Sequence, residues 1–311
     1  NYLVLQKSKA KYAFINNVSD SQIIEKAIDN GQIKPDFKRN FLIALVLGLL
    51  IPSLLLFFLD LFDNRVTSDD DVRSLAGLPV TGHVFHQGKE IVLSDTLSIV
   101  SGQTAEAFRF LRNRLIRETK GVDKPVFAVT SSAFNEGKSF VSLQVAASYA
   151  RAGYKTILLD FHLRRPGLNN LLPDNTSPGV MDYVSGKNTP DDIVVQTIHP
   201  DLYLVRAGGE GQPDAEVPAD RMLCNLLDEL KQKGDVIIMD MAPVGHLSDY
   251  SQIFDKIDAT LVIVRHGMTN KNWLKAAVDE INTSGLKRVC IVMNAIRDKE
   301  GTYSWYRLGY S

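Results

Sequence analysis

The sequence predicts an α/β fold: a mostly parallel sheet with helices on both faces, preceded by a transmembrane helix. Three observations lead there. From about residue 101, apolar strand-like runs alternate with amphipathic stretches, the pattern of a parallel sheet covered on both sides. The first run, Val126 to Val129, leads straight into Thr130-Ser-Ser-Ala-Phe-Asn-Glu-Gly-Lys-Ser139, a strand followed by a glycine and the start of a helix. Far upstream, Phe41 to Leu59 carries no charged residue. At about 1.5 Å per residue it spans roughly 28 Å, enough to cross a bilayer core.

In chain order, residues 1–40 are mixed and polar with a weak helical pattern, and they cannot bury a core alone. Residues 41–60 are the predicted span, with Pro52 as a possible kink. A signal peptide is excluded, because forty residues precede the run and no small-residue cleavage site follows. The start at Asn1 rather than Met leads us to expect a longer parent chain. Residues 61–100 form a connector with an acidic cluster, Asp69-Asp70-Asp71, and a short extended piece near Leu78 to Val84. Residues 101–300 hold the strand runs Val126–Thr130, Thr156–Asp160, Leu202–Val205, Val236–Asp240, Thr260–Val264 and Val289–Met293. Amphipathic stretches 139–151, 220–232 and 271–284 lie among them. Residues 301–311 lack core periodicity, and no internal repeat is evident.

A net charge of −1 over 311 residues gives no sign of a nucleic-acid surface. The two cysteines, Cys224 and Cys290, lack metal or redox spacing and read as core thiols of a reducing compartment.

The loop before the first helix points to nucleotide chemistry. Gly137 lets the backbone approach a phosphate, Lys138 reaches the outer phosphates, and Ser139 can ligate Mg²⁺. Asn135, Glu136 and Phe140 complete the candidate nucleotide-binding set. Ser132 replaces the first glycine of the usual pattern. Two later strands end in carboxylates, Asp160 and Asp240, and should emerge beside the loop at the carboxyl edge of the sheet. Helix capping is their alternative role. With ATP as ligand, Ser139 and Asp240 are the expected Mg²⁺ ligands, and Asp160 the group that orients or deprotonates an acceptor hydroxyl. Asn294, just after a strand, reads as an adenine contact or as a turn residue. Arg164 and Arg165 read as phosphate-facing, partner-facing or solvated.

These motifs resemble those of the bacterial tyrosine autokinases (BY-kinases) of the polysaccharide co-polymerase type. Ser131 to Ser139 is similar to the family's Walker A loop. Leu158-Leu-Asp-Phe-His-Leu-Arg-Arg-Pro166 resembles its Walker A′ motif, and Ile237-Ile-Met-Asp-Met-Ala-Pro243 its Walker B motif. Glu106-x-x-Arg109-x-x-Arg112 resembles the motif that mediates ring-like oligomerisation in that family, and Asp69 to Val80 resembles the juxtamembrane connector. The resemblance covers essentially the whole chain. It implies a fold of the P-loop NTPase type and an ATP- and Mg²⁺-dependent protein-tyrosine autokinase. It also implies that residues 1–40 end a periplasmic region, that the catalytic domain is cytoplasmic at a bacterial inner membrane, and that polysaccharide export machinery and a cognate tyrosine phosphatase are partners. Tyr303, Tyr306 and Tyr310 would be phosphoacceptors, modified in trans within a ring.

Two features depart from the family. Phe134 and Asn135 stand where Pro and Gly are common, and His162 stands where a second Walker A′ aspartate is expected. His162 either takes part in catalysis or packs. Orientation is also contested. Lys26, Lys34, Lys38 and Arg39 precede the span, against Arg65 and Arg73 after it, which favours a cytoplasmic N-terminal flank. An ATP site demands the opposite, and we take that reading. The alternatives to a kinase are a membrane-tethered ATP-binding scaffold, favoured by His162, and a Min/Par-type ATPase switch on the same fold.

Overall fold

The computed structural model describes residues 2–16, 36–61, 63–86, 102–163, 166–168, 177–208, 220–246 and 253–297. The chain divides into two units, Asn1–Asp63 and Asn64–Ser311.

The first unit holds helix α1 (Tyr2–Asn16) and helix α2 (Phe37–Leu61). Within α2, Phe37–Phe58 is long and apolar enough to cross a membrane, with 22 residues at a mean hydropathy of 2.8, none of it buried by protein. A helix apolar all round, with exposed leucines and phenylalanines on every side, suits lipid better than water. Pro52 lies inside it, and the Ser53 hydroxyl donates to the Leu49 carbonyl at 2.8 Å.

The second unit is built around one sheet. Its elements are α3 (Asp69–Ala76), β1 (Val80–Phe85), α4 (Gly102–Glu118), β2 (Val126–Ser131), α5 (Lys138–Ala150), β3 (Thr156–Phe161), α6 (Val180–Val184), α7 (Pro190–Ile193), β4 (Val194–Gln196), β5 (Leu202–Val205), α8 (Asp220–Lys233), β6 (Val236–Met241), β7 (Ala259–Arg265), α9 (Lys271–Ser284) and β8 (Val289–Ile296). Strand order is β1-β8-β7-β2-β6-β3-β5-β4. All neighbours are parallel except β4 and β5. The six expected strand runs all lie in this sheet.

Side chains alternate between two apolar layers. Phe127 and Val129 of β2 pack with Phe108, Leu111 and Leu115 of α4 and Val141 and Val145 of α5. Val126 and Ala128 face the other way, into a layer completed by Leu223, Leu227 and Leu230 of α8 and Leu274, Val278 and Ile281 of α9. Each fully buried leucine contributes about 1.5–3 kcal/mol of transfer free energy. With both faces covered, strands read as continuous apolar runs.

The connector contributes to this unit. Its extended piece is β1, an edge strand paired in parallel with β8. The acidic cluster starts α3: the Asp71 amide donates to the Ser68 hydroxyl at 3.1 Å, while Asp71 Oδ2 accepts from the amides of Ser68 and Thr67 at 3.3 and 3.0 Å. Asp71 also pairs with Lys271 of α9 at 2.7 Å. Its partial burial would raise the carboxyl pKa, but the bonds from Lys271, Thr67 and Ser68 together hold it lower than usual. Asp69 bonds His83 of β1 through both oxygens, at 2.9 and 3.0 Å.

Candidate nucleotide and metal site

β2 ends fully buried, and α5 opens at Lys138. Between them the chain reverses through two left-handed residues, Asn135 at φ 64° and Gly137 at φ 93°. Asn tolerates that region better than most residues, which explains how it stands where Gly is common. Gly137 caps α5 without a side-chain bond, so the first amides of the helix stay available to an anion.

The loop is pinned from beneath. Glu136 is buried; its carboxylate accepts from the Ser132 hydroxyl at 2.7 Å, the Ala133 amide at 2.9 Å and the Thr269 hydroxyl. Burial raises its pKa, with those donors opposing the rise. The Asn294 side-chain amide donates to the Glu136 carbonyl at 2.9 Å, and its oxygen accepts from the Ala295 amide at 2.8 Å. Arg265 donates to the Asn135 carbonyl at 2.9 Å. A Cβ on Gly137 would sit 2.1 Å from Asn294 Nδ2, so only glycine fits. The Phe140 ring turns away, edge-on to Phe108 at 5.9 Å between centroids. Asn294, Glu136 and Phe140 thus direct their side chains into the scaffold of the loop. Arg265 and Thr269 went unread in the sequence, because nothing local marks a residue at the end of one strand, or in the turn after it, as the support of a loop on another.

The two carboxylates meet as expected. Asp160 of β3 and Asp240 of β6 are direct neighbours in the parallel register, both almost wholly buried. Asp240 Oδ1 accepts from Ser142 at 3.1 Å, whereas its buried Oδ2 has no hydrogen-bond partner among the described residues. Gly167 lies against this point: a Cβ there would be 2.4 Å from Ser139 Oγ and 3.3 Å from Asp240 Oδ2. Asp160 accepts the His162 amide at 3.2 Å and the Leu168 amide at 2.9 Å, tying down the chain after β3. A carboxylate has further lone pairs, so these bonds leave acceptor capacity. Burial, then the Asp240 charge, pushes the Asp160 carboxyl up to about 7. Burial likewise raises Asp240, against the opposing effects of Ser139, Lys138 and Ser142.

This environment fits a divalent cation. An orphaned carboxylate oxygen beside a serine hydroxyl is a hard oxygen donor pair, and two buried like charges call for a cation. Among the described residues no three His, Cys, Asp or Glu are grouped to hold a metal by themselves. Mg²⁺ takes few protein ligands and completes its shell with phosphate and water.

His162 is buried and stacks on Phe134, with centroids 6.0 Å apart and planes 23° from parallel. His246, in the turn Val244–His246 after β6, approaches the same ring at 5.3 Å. Lys138 Nζ lies 5.9 Å from its centroid. The two departures from the family pattern therefore belong together: the imidazole and the phenyl ring pack on one another. His246 is a member the sequence reading missed.

Beyond the Asn294 side of the loop, a cleft of about 400 Å³ is lined by His86, Arg265, His266, Gly267, Met268, Ala295 and Arg297. In the helix motif, Arg109 pairs with Glu106, while Arg112 turns inward to the Ser148 carbonyl at 2.8 Å. Arg164, Arg165, Tyr303, Tyr306 and Tyr310 lie outside the described residues.

No protein-family model matches the chain. It is 27% identical over 205 residues to the tyrosine-protein kinase CpsD of Streptococcus agalactiae, covering 66% of this chain and 89% of that protein. It is 22% identical over 312 residues to the tyrosine-protein kinase ptk of Acinetobacter johnsonii, a longer protein, covering 94% of this chain and 41% of that one. The fold matches the kinase domain of the Escherichia coli tyrosine kinase ETK with a TM-score of 0.64 at 18% identity, over 76% of this chain and 97% of that one. Together these similarities make the chain a distant homologue, over most of its length, of bacterial tyrosine-protein kinases, and the fold is that of their kinase domain.

Proposed function

We propose that this chain is an ATP- and Mg²⁺-dependent protein-tyrosine kinase that phosphorylates its own tail at Tyr303, Tyr306 and Tyr310 in trans. The observation that carries the reading is one edge of the sheet, where Lys138 and Ser139 at the start of α5 stand beside the in-register carboxylates Asp160 and Asp240. Phosphoryl transfer needs positioning and charge neutralisation more than covalent chemistry, and this edge supplies both. Lys138 and the first amides of α5 would hold the phosphates. Ser139 and Asp240 would hold Mg²⁺, which when bound neutralises phosphate charge. Asp160, with its raised pKa, would take the proton of the acceptor tyrosine hydroxyl, whose ordinary pKa is about 10. The His86–Arg297 cleft would receive the nucleoside end.

In the wider reading, α2 anchors the kinase to a bacterial inner membrane with the catalytic unit in the cytoplasm. Self-association through Glu106, Arg109 and Arg112 would bring tails to neighbouring sites. The activity would regulate capsular or exopolysaccharide polymerisation and export, opposed by a tyrosine phosphatase. Distant homology to tyrosine-protein kinases and the apolar helix support this.

The test is incubation of purified full chain with Mg–ATP, followed by anti-phosphotyrosine detection and mass spectrometric mapping. Lys138→Met should abolish the signal, and undiminished signal would remove this site as its source. A scaffold reading draws on the His162–Phe134 stack, which puts a packed ring where the family has a carboxylate. His162→Asp separates the two: higher initial rates at low Mg²⁺ favour the kinase, whereas silence in both forms favours the scaffold.

A further inference from the structure

A second cationic feature lies away from the phosphate loop. Between α4 and α5 runs a cleft of about 300 Å³, lined by Phe108, Arg109, Arg112, Gln144, Ser148 and Arg151 among others; no carboxylate is among its described lining residues, and Glu106 pairs with Arg109 beside it. Gln144 is six residues beyond Lys138, or roughly 9 Å along α5, so the cleft is separate from the nucleotide site.

Its polar groups are set for a ligand. Arg112 donates to the Ser148 carbonyl at 2.8 Å and to Asn113 at 3.2 Å, but its Nε is buried without a hydrogen-bond partner. Ser148 is 6% exposed, and its hydroxyl also lacks a partner. Helical serine and threonine hydroxyls usually donate to the carbonyl four residues back. Ser142 and Thr119 do so here, and Ser148 does not. Leaving two buried polar groups such as these unmet is costly. An anion relieves both.

We propose that this cleft binds a phosphate monoester, the chemistry offered by a phosphotyrosine side chain and, as the free ion, by inorganic phosphate. A carboxylate offers two oxygens in one plane. The three oxygens of a phosphate can meet the Arg112 Nε, the Ser148 hydroxyl and the Arg151 fork from different directions. The idea stands apart from the kinase reading, because the anion is supplied from outside.

The experiment is calorimetric titration of the full chain in detergent micelles, with Mg–ADP saturating the phosphate loop. Phosphotyrosine, inorganic phosphate and acetate are titrated in separate arms. Phosphotyrosine should bind, and Arg151→Gln and Ser148→Ala should each weaken it about tenfold or more, the expected loss of one bond to a charged group. Affinity for Mg–ADP should stay unchanged in both. Arg151 lies at the exposed end of α5, so its replacement leaves the core intact and decides the matter if Ser148→Ala perturbs folding. Tighter binding of phosphotyrosine than of phosphate identifies a phosphorylated segment as the source, and equal binding identifies the free ion. Absence of binding by either, unchanged affinity in Arg151→Gln, or acetate binding as tightly as phosphate overturns the proposal.

Discussion

Gly137 shows how narrowly single residues are constrained at this site. It combines φ 93° with an approach that would put a Cβ 2.1 Å from Asn294 Nδ2. Gly137→Ala should therefore cost about 1–3 kcal/mol of stability and weaken ATP binding, because the Asn294 bond to the Glu136 carbonyl must yield. Denaturant unfolding and nucleotide titration of the same variant would show both losses. The carboxylate pair makes a second case. Asp160 and Asp240 are raised by burial, and Asp160 also by the charge of Asp240. A carboxyl whose folded pKa lies above its unfolded value lends stability below the unfolded pKa, and that stability is lost as pH rises through the folded value. The metal-free protein should accordingly lose stability between the ordinary carboxylate range and about pH 7. Asp240→Asn should flatten that profile while abolishing any stabilisation by Mg²⁺. Thermal melts across pH in chelator and in Mg²⁺ would check it; a profile as steep in the variant as in the parent would remove the pair as the cause.

At the scale of elements, α3 and β1 matter more than their connector-like composition suggests. Asp71 caps α3 and ties it to α9 through Lys271. Asp71→Ala should destabilise the second unit by about 1–2 kcal/mol, the worth of a lost cap, with Asp70→Ala close to neutral. Chemical denaturation of both variants would distinguish them. α5 acts in two ways as one element: its first turn faces the phosphate loop, and its far end, at Ser148 and Arg151, lines the arginine cleft.

At the scale of the whole molecule, α2 predicts membrane attachment. The 311-residue chain should stay with the membrane fraction through an alkaline wash, and deletion of residues 37–58 should release it. Release of the undeleted chain by that wash would count against a spanning helix.

The apolar runs, the Gly-Lys-Ser loop, the two strand-terminal aspartates and the long apolar helix were legible in the sequence, because periodicity, charge depletion and backbone permissiveness are local properties. The pairing of Asp160 with Asp240 followed from the rule that parallel strands present their carboxyl ends together. The rest depended on contacts across long sequence separations. Asn294 and Thr269 reach Glu136, Arg265 reaches the Asn135 carbonyl, and Phe134 gathers His162 and His246. The Leu78–Val84 piece reads as extended within a connector, but only β8 supplies the hydrogen bonds that make it a strand of this sheet. No window of sequence contains both partners of such contacts, so they emerge only when strand order brings the edges together.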